Sequence, residues 1–323
     1  MQTAFVTGAS GFIGGALTRR LIADGWRVRA LARSDAAAST VAARGAEAVR
    51  GDLRDTSAIA AGARGCEITF HCAAMLGEWG TRAEFEAGNV AGTVNVLDAS
   101  RRAGVRRVVH VGTEAALLDG GPLIDVDETA PLRPDSPALY SSTKARAEQA
   151  VRAAADAGLE TVVVRPRLVW GPGDTTILPE LIAAVEAGRF AWIGGGRHRT
   201  STTHVDNVVE GLVLGAERGT SGEAYFVTDG DPVVFRDFVT RLLATAGVSA
   251  PTRSIPAPLA RAAAASGETL WRVLPLKGRP PVTRLAVWLS SLETTIDISK
   301  AREQLGYAPV ITIDEGMRKL ERA

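Results

Sequence analysis

Cysteine, net charge and long apolar runs are all scarce in this 323-residue chain, and each shortage excludes a class of protein. The two cysteines, Cys66 and Cys72, are too few for a disulfide framework and lack the spacing of a metal site, so no metal is expected. A formal net charge of +1 gives no strong field for nucleic acid or for an anionic membrane. No apolar run is long enough to span a bilayer.

The chain also lacks a basic segment followed by an apolar one at its start, because an apolar strand begins at once. A reduced, cytoplasmic setting is therefore expected. The hydrophobic content of 46% and the charged content of 23% are typical of a soluble globular protein. The length predicts roughly two domains, or one large α/β unit with an appendage.

The first fourteen residues, MQTAFVTGASGFIG, predict a strand, a tight turn and a helix. This arrangement presents free backbone N–H groups and the positive end of a helix dipole, which suits a pyrophosphate. Gly8 permits the turn, Gly11 allows close approach of the phosphates, and Gly14 lets the helix pack close to the strand. The spacing is Gly-x-x-Gly-x-x-Gly, one residue longer in its first gap than the usual dinucleotide fingerprint. Glycines also end ordinary strands, which is the alternative interpretation.

Strands and helices alternate over the first half of the chain, which predicts an α/β fold with a doubly wound parallel sheet of the Rossmann type. Residues 1–168 are assigned to this dinucleotide-binding domain, and residues 203–230 are expected to return to it. Residues 169–202 and 231–323 are assigned to a smaller, mostly helical substrate lobe. Residues 114–137 are predicted to be loop, because glycines and prolines break them. A helix is predicted from about Arg82 to Arg102.

Tyr140 and Lys144 lie four residues apart on a predicted helix, hence on one helical face. An ammonium beside a phenol favours the phenolate and lowers the phenol pKa, which makes tyrosine usable as an acid or base. Thr113 ends the preceding strand, where its hydroxyl could donate to a substrate carbonyl. The alternatives are a surface pair for Tyr140 and Lys144, and a threonine that bonds its own backbone.

These motifs together resemble those of the extended short-chain dehydrogenase/reductases, within the NAD-dependent epimerase/dehydratase superfamily. The segments near Thr113 and residue 280 look most like the 3β-hydroxysteroid dehydrogenase-like branch. The resemblance rests on Thr-Gly-x-x-Gly-x-x-Gly at the start, Gly-Asp-Leu at 51–53, His-x-Ala-Ala at 71–74, Asn-Val-x-Gly-Thr at 89–93, Tyr-x-x-x-Lys at 140–144, Arg-Pro-x-x-Val-x-Gly-Pro-Gly-Asp at 165–174, and His-Val-Asp-Asn at 204–207.

The resemblance implies a catalytic set in which Tyr140 is the acid/base, Lys144 holds the nicotinamide ribose and tunes Tyr140, and Thr113 takes the place of the family's serine or threonine. It also implies that Asp52 and Leu53 flank the adenine and that Pro166 borders the nicotinamide. The other implied cofactor contacts are Gly8, Ser10, Gly11, Phe12, Ile13 and Gly14 in the loop, Cys72, Ala73 and Ala74 after the fourth strand, and Asn89 on the long helix.

The sequence departs from the family in one place near Thr113. Gly112 stands where relatives often carry a second hydroxyl residue, and Glu114 follows Thr113. Ser141 and Ser142 are candidates for the missing hydrogen bond.

Arg33 decides the expected cofactor. The end of the second strand faces the adenosine ribose, where a carboxylate favours NAD and an arginine pairs with a 2′-phosphate. Arg33 and Ser34 therefore favour NADP, and NAD is the alternative because Asp35 follows. Asp35 could instead cap the next helix.

The favoured function is hydride transfer between a nicotinamide and the carbonyl or alcohol of a hydrophobic small molecule, sterol-like or another ketone. A nucleotide-sugar epimerase or dehydratase is the alternative, with Arg189, Arg197 and Arg199 available for a diphosphate. A non-catalytic dinucleotide sensor is the third. Family analogy suggests a homodimer.

Several other polar and aromatic residues are given structural interpretations. Asp206 or Asn207 is expected to cap a helix rather than to form a catalytic pair with His204. His71 is expected to be a satisfied core histidine. For Trp79, Trp170 and Trp192 the sequence is equally consistent with two interpretations: a place in the wall of a substrate pocket, or packing in the core.

Overall fold

The computed structural model describes residues 1–274 and 276–322; Pro275 and Ala323, both assigned to the smaller lobe, lie outside the described residues. The strands are β1 (Thr3–Thr7), β2 (Arg27–Ala32), β3 (Glu47–Arg50), β4 (Ile68–His71), β5 (Arg107–Val111), β6 (Leu123–Val126), β7 (Glu160–Pro166), β8 (Val169–Trp170), β9 (Trp192–Ile193), β10 (Arg199–Thr200), β11 (Thr203–His204), β12 (Ala224–Val227), β13 (Val233–Val234), β14 (Ser254–Ile255) and β15 (Thr294–Ile296).

The α-helices alternate with the strands of the first half and cluster in the second. They are α1 (Phe12–Ala23), α2 (Asp35–Ala43), α3 (Thr56–Ala63), α4 (Arg82–Phe85), α5 (Gly92–Arg102), α6 (Leu139–Asp156), α7 (Ile177–Glu186), α8 (Val205–Arg218), α9 (Phe235–Ala244), α10 (Ala257–Val273), α11 (Arg284–Ser291) and α12 (Ile313–Leu320). Among the described residues, no helix is both long and apolar enough to cross a membrane.

Seven parallel strands form the central sheet in the order β12-β7-β5-β4-β1-β2-β3. The predicted Rossmann-type α/β fold is therefore confirmed. The order reverses between β1 and β4, so the carboxyl ends of these two strands open a crevice where ligands bind in such sheets. Val6 pairs with Ala30 on one side and with Phe70 on the other, and all three are buried. These strands are apolar on both faces because helices cover both faces.

A second, four-stranded sheet has the order β13-β10-β15-β6. Its strand β6 lies within residues 114–137, which also contain a 3₁₀-helix over Glu114–Leu117, so the prediction of loop there is wrong. The reason is non-local: β6 pairs with β15, where Leu123 is the partner of Thr294. A four-residue strand with a partner so far along the chain leaves little local signal in the sequence.

The predicted helix from Arg82 to Arg102 is interrupted. A π-helical segment over Glu86–Ala91 separates α4 from α5. Such segments are frequent at functional sites, and this one carries Asn89. Helix α3, which Asp55 caps by accepting from the amide of Ala58, is absent from the predicted elements.

Candidate active site

The glycine loop between β1 and α1 is shaped by close backbone packing. Gly8 has a φ of +76°, and a Cβ placed there would lie 2.7 Å from the amide nitrogen of Ala73. A Cβ at Gly14 would lie 2.3 Å from the carbonyl oxygen of Gly8. The loop is closed by the Gly11 amide, which donates to the Gly8 carbonyl at 2.9 Å. Only glycine fits at Gly8 and Gly14, so the loop keeps its narrow turn against β4.

The first turn of α1 has the features of a pyrophosphate cradle. Its N-cap is Gly11, and within the described residues no side chain caps this end of the helix. The free amides of a twelve-residue helix and its dipole therefore point to the loop, which fits a dinucleotide diphosphate. Arg44 is a residue that the sequence analysis missed: its guanidinium donates to the carbonyl oxygens of Ala9 and Gly11, the latter at 3.2 Å. Arg44 follows α2, and only the tertiary structure brings it to the loop.

Three consecutive polar residues follow β2: Arg33, Ser34 and Asp35. The structure gives each of them a different set of contacts. Ser34 caps α2, because its hydroxyl accepts from the amide of Ala37 at 3.2 Å. Asp35 is the first residue of α2, and its carboxylate lies 3.3 Å from the guanidinium of Arg50. The side chain of Arg33 is exposed and, within the described residues, forms no ion pair. Ser34 rather than Asp35 is thus the capping residue.

The residues predicted to flank the adenine and to line the rest of the cofactor lie where strands β3 and β4 end. Asp52 pairs with Arg54 at 2.7 Å, and this pairing lowers the pKa of Asp52. The carbonyl of Leu53 accepts from Asn95 at 2.8 Å. After β4, the amide of Cys72 donates to the carbonyl of Thr7, and the amide of Ala73 donates to the hydroxyl of Thr7. Burial raises the pKa of the Cys72 thiol to about 12, so the thiol stays protonated and unreactive, and its contact with a cofactor stays a prediction.

Ala74 continues the same half-buried segment after β4. The next residue, Met75, is held by Asn89, which accepts from its amide at 2.7 Å and donates to its carbonyl at 3.2 Å. Asn89 also donates to the hydroxyl of Thr143 on α6 at 3.1 Å. Asn89 thereby ties the wall of the crevice to the helix that carries Tyr140, and its contact with a cofactor stays a prediction.

Tyr140 lies close to Thr113, which follows the carboxyl end of β5. Tyr140 also packs on the apolar cluster that contains Ala115, two residues further along the chain from Thr113. Burial raises the pKa of Tyr140, the Glu114 carboxylate adds to the rise, and the Thr113 hydroxyl opposes it. The predicted lowering of this pKa is therefore wrong for this arrangement, because the groups that act on the phenol are its burial and Glu114.

Lys144 is directed along β5 instead. Its ammonium donates to the carbonyl of Val111 at 2.7 Å and lies 3.3 Å from Nε2 of His110. Burial lowers the pKa of Lys144 to about 8, and the Glu148 carboxylate opposes this. Lys144 is one helical turn from Tyr140, but its ammonium is buried against β5.

Gly112 explains the departure from the family motif. A Cβ at this position would lie 2.7 Å from Cγ1 of Val163 and 3.0 Å from Cγ of Arg165, so no hydroxyl side chain fits. Ser142 does not replace it, since its hydroxyl donates to the carbonyl of Pro134. Ser141 is fully buried and, among the described residues, its hydroxyl has no hydrogen-bond partner.

Beyond Pro166, which ends β7, the chain turns through Leu168 with a φ of +43°. Arg165 and Arg167, on either side of Pro166, are both buried and each pairs with a glutamate, Glu148 and Glu114 respectively. The motif at 165–174 predicts a place for Arg165 only, and neither Arg167 nor its pairing with Glu114 has a signal in the sequence, since burial of a charged residue is not visible in the chain order.

The remaining candidates are structural. His204, rather than Asp206 or Asn207, caps α8: its Nδ1 accepts from the amide of Asp206. His71 is buried and hydrogen-bonded to the hydroxyls of Thr7 and Thr93, as expected of a core histidine. The fully buried Trp170 and Trp192 belong to one apolar core cluster. Trp79 is half-buried, and the guanidinium carbon of Arg272 lies over its ring, 5.7 Å from the ring centre.

A cavity of about 460 Å³ lies beside the Tyr140 helix. Trp288, one of its lining residues, belongs to the apolar cluster on which Tyr140 packs. The wall combines apolar side chains with two guanidinium groups: Pro137, Arg261, Ala264, Ala265, Arg284, Val287 and Trp288.

The crevice, the glycine loop and the Thr113–Tyr140 contact coincide with a match to the model of the NAD dependent epimerase/dehydratase family over residues 4–228. The chain belongs to this family. It is thus an extended short-chain dehydrogenase/reductase, and a pyridine nucleotide is its cofactor.

Individual relatives match almost the whole chain. A 4-hydroxy-2-methyl-3-oxo-4-farnesyl-3,4-dihydroquinoline-1-oxide ketoreductase of Stigmatella aurantiaca is 50% identical over 319 residues, which are 99% of this chain and 96% of that protein. A sterol-4-alpha-carboxylate 3-dehydrogenase, decarboxylating, of Dictyostelium discoideum is 31% identical over 99% of this chain and 100% of its own length. The solved structure of gox2253 has a TM-score of 0.80 and 30% identity, covering 100% of this chain and 98% of its own.

These relatives confirm the predicted class of oxidoreductase and the resemblance to the 3β-hydroxysteroid dehydrogenase-like branch.

Proposed function

We propose that this enzyme is an NADP-dependent reductase of a hydrophobic ketone, with Tyr140 as the proton donor. The observation that carries the proposal is that Tyr140 lies close to Thr113 at the carboxyl end of β5 and packs on the cluster of Trp288, which lines a cavity of apolar side chains and two arginines. The two relatives described above, named for a farnesyl quinoline ketone and a sterol, support a large apolar substrate.

The chain's own residues account for the acid–base part of the reaction. When bound, the nicotinamide supplies the hydride. Tyr140 donates its phenolic proton to the carbonyl oxygen, and Thr113 orients the phenol that does so. Lys144, at its lowered pKa of about 8, stays largely protonated at neutral pH; because its ammonium is held by the carbonyl of Val111, its proposed role is towards the nicotinamide ribose.

Arg33 supports NADP over NAD. Its guanidinium is exposed at the end of β2, whereas the nearby carboxylate of Asp35 is engaged by Arg50. A 2′-phosphate at this place gains charge-assisted hydrogen bonds from Arg33, worth about 1.5–3 kcal/mol. Arg33→Ala should therefore raise the KM for NADPH about 10- to 100-fold and leave the KM for NADH nearly unchanged. Arg102→Ala, which removes an exposed arginine at the end of α5, is the control.

The substrate class is tested by following NADPH absorbance with a panel that includes a 3-ketosteroid, a small ketone and UDP-glucose. Oxidation of NADPH by the bulky ketone, without turnover of the sugar nucleotide, is expected. Turnover of the sugar nucleotide alone would favour the epimerase or dehydratase reaction, and tight NADPH binding without any turnover would favour a sensor.

The cavity provides a second test. Trp288→Ala should raise the KM for the bulky ketone and have a smaller effect on the small one, because the cavity wall contacts only the larger molecule. Trp26→Ala, beside β2 in the other half, is the matched control. An equal effect of both variants on the bulky ketone would contradict the assignment of the cavity.

The proposal extends to the assembly and its setting: a homodimer in a reduced cytoplasmic compartment, in which Cys66 and Cys72 stay free thiols. Light scattering of the purified protein tests the dimer.

A further inference from the structure

Helix α10 has two apolar faces, and the lobe covers one of them. Ala260 and Ala264 are buried in an apolar cluster with Val287 of α11. On the other side of the helix, Leu259 is 61% exposed and Val273 is 74% exposed. A helix at the surface of a globular protein normally presents polar residues on the side away from its core. The packing of the lobe therefore does not explain the second apolar face.

The exposed apolar residues follow the period of the helix. Leu259, Ala263, Leu270 and Val273 are exposed, and spacings of four, seven and three residues place them along one side of α10. We call this row the α10 stripe. The 17 residues of α10 span about 25 Å, so the stripe is a long and narrow surface. Eleven large hydrophobic side chains are exposed among the described residues, and five of them lie in this part of the chain: Leu259, Leu270, Val273, Leu274 and Leu276.

The chain around the stripe is strongly basic. Residues 253–284 contain six arginines and lysines and a single carboxylate, whereas the whole chain has a net charge of +1. That carboxylate, on Glu268, is buried and accepts from the amide of Arg284. Arg253 and Lys277, which precede and follow α10, are exposed and form no ion pair within the described residues. Their positive charges are thus available to a partner that covers the stripe.

We propose that the α10 stripe docks the enzyme on the surface of an anionic membrane, with α10 lying in the plane of the interface. The apolar side chains enter the boundary between headgroups and acyl chains, and the flanking cations attract the negative lipid headgroups. This combination of an apolar row and nearby arginines and lysines is typical of helices that lie on membranes.

A second copy of this chain fits the stripe less well than an anionic lipid surface does. Two α10 helices packed on each other would bring two sets of the cations at Arg253 and Lys277 to one interface. Like charges that face each other across an interface oppose association. The buried Glu268 offers no compensating charge. An anionic leaflet supplies negative charge along the whole stripe.

The other side of α10 lines the cavity described above. Arg261, Ala264 and Ala265 contribute to its wall. Docking would place this helix between the cavity and the lipid, in which a hydrophobic ketone dissolves. Only this consequence rests on the proposed function, because the stripe and its charges do not depend on the reaction.

The test is sedimentation of the full chain with phosphatidylcholine vesicles, prepared with and without about 30% phosphatidylglycerol. Binding to the anionic vesicles is expected, with at least about tenfold weaker binding to the neutral ones. Raising the salt from about 0.05 M to about 0.5 M should weaken the binding to anionic vesicles, because salt screens exposed charges.

Variants on the exposed surface assign the binding to the stripe. Leu270→Asn combined with Val273→Asn should weaken binding to anionic vesicles about tenfold or more, and Val310→Asn, at a valine 54% exposed elsewhere, is the matched control. Lys277→Gln should weaken binding about fivefold, whereas Arg102→Gln at the end of α5 should not. Thermal unfolding close to that of the wild type shows that each variant is folded.

Three results would overturn the proposal: no binding to either kind of vesicle, equal binding to both, or unchanged binding of the variant at Leu270 and Val273. If that variant instead converts a dimer to a monomer in light scattering and the wild type binds no vesicles, the stripe is an interface between copies. Failure of the proposed function is distinguishable, because it would show as absence of ketone turnover in a protein that still binds anionic vesicles.

Discussion

The glycine loop presents backbone amides to a ligand. The Thr113–Tyr140 centre presents side chains instead, and residues far along the chain hold them in place by hydrogen bonds and ion pairs. Most of the loop comes from residues 7–14 and from the neighbouring strand end at Cys72 and Ala73, and Arg44, from further along the chain, donates to the carbonyls of Ala9 and Gly11. The centre needs Glu114, then Arg167 at the end of β7, then Thr200 on β10. The comparison teaches that the first half of this enzyme is built from local rules and the second from buried polar contacts across the chain.

The largest expected effect is on the centre. Tyr140→Phe should lower kcat about 10³-fold, within the range known for loss of a general acid, and change dinucleotide affinity less than about twofold. Tyr307→Phe is the control: this phenol donates to the carbonyl of Thr228, so its loss should cost about 1 kcal/mol of stability and little activity. Steady-state kinetics and dinucleotide titration check both variants. Loss of dinucleotide binding in Tyr140→Phe would contradict the assignment of cofactor binding to the glycine loop and of proton transfer to Tyr140.

Acid should weaken the sheet before the smaller lobe. Burial lowers the pKa of His71 to about 3, with Lys144 adding to the effect, while the unfolded value is about 6.5. The folded pKa is depressed, so the stability contributed by neutral His71 is full above about pH 6.5 and is lost as the pH falls towards 3. The loss reaches about 3 kcal/mol at pH 4, at 1.36 kcal/mol per unit.

Denaturant unfolding of the wild type and of His71→Gln at pH 7 and pH 4 measures this loss. The variant should lose less stability than the wild type, and the remainder is expected because burial also lowers the pKa of the neighbouring His110. His198 lies in the other region, stacked on Phe235, and its pKa is lowered to about 4 by its partial burial and by Arg167. Solvent screens this less buried histidine, so His198→Gln should flatten the pH dependence less. Equal pH dependence in the wild type and in His71→Gln would refute the assignment.

Two glycine substitutions sharpen the comparison because they should have opposite signs. Gly14→Ala places a methyl group 2.3 Å from the Gly8 carbonyl and should cost about 2–3 kcal/mol of stability, with weaker dinucleotide binding. Gly267 in α10 has Pro280 as its nearest neighbour at 3.9 Å, so Gly267→Ala should gain about 0.5–1 kcal/mol from helix propensity. Thermal unfolding measures both, and destabilisation by Gly267→Ala would show that α10 is packed more tightly than described.

The smallest expected effects are equal in the two regions. Ser34 caps α2 and Thr312 caps α12 in a capping box with Glu315. Replacing either by alanine should cost about 1 kcal/mol, because each cap satisfies helix amides locally. Ser34→Ala also lies beside Arg33, and an unchanged KM for NADPH in this variant would assign the phosphate to Arg33 alone.

Prediction from sequence succeeds where the determinants are local. The alternation of β1, α1 and β2 and the glycine spacing are enough to predict the sheet and the turn, whereas the class of enzyme follows from the family resemblance of the whole set of motifs. The closeness of Thr113 and Tyr140 could be predicted because a strand end and a helix carry them to the same edge, and their catalytic roles stay predictions. Ser34 as the cap of α2 was missed because Asp35 is an equally good capping type, and only the backbone conformation separates them.

The rest depends on pairing between distant segments. Strand β6 was predicted as loop because its partner β15 lies about 170 residues further along the chain. The direction of the Tyr140 pKa was missed for the same reason: helical spacing from Lys144 was visible, but burial and the approach of Glu114 were not. Arg44 and Arg167 gave no sequence signal, since an arginine that turns inward looks the same in the chain as one in solvent.

The pairing of β6 with β15 has a consequence for how the enzyme is made. The segment that follows Thr113 acquires its strand partner only once Thr294–Ile296 has been synthesised. Domains generally fold from the N-terminal side as they leave the ribosome, so the central sheet, whose last strand ends at Val227, can form while β6 still lacks its partner. A chain that stalls before residue 294 would leave β6 as an unpaired strand on the segment between Thr113 and Tyr140.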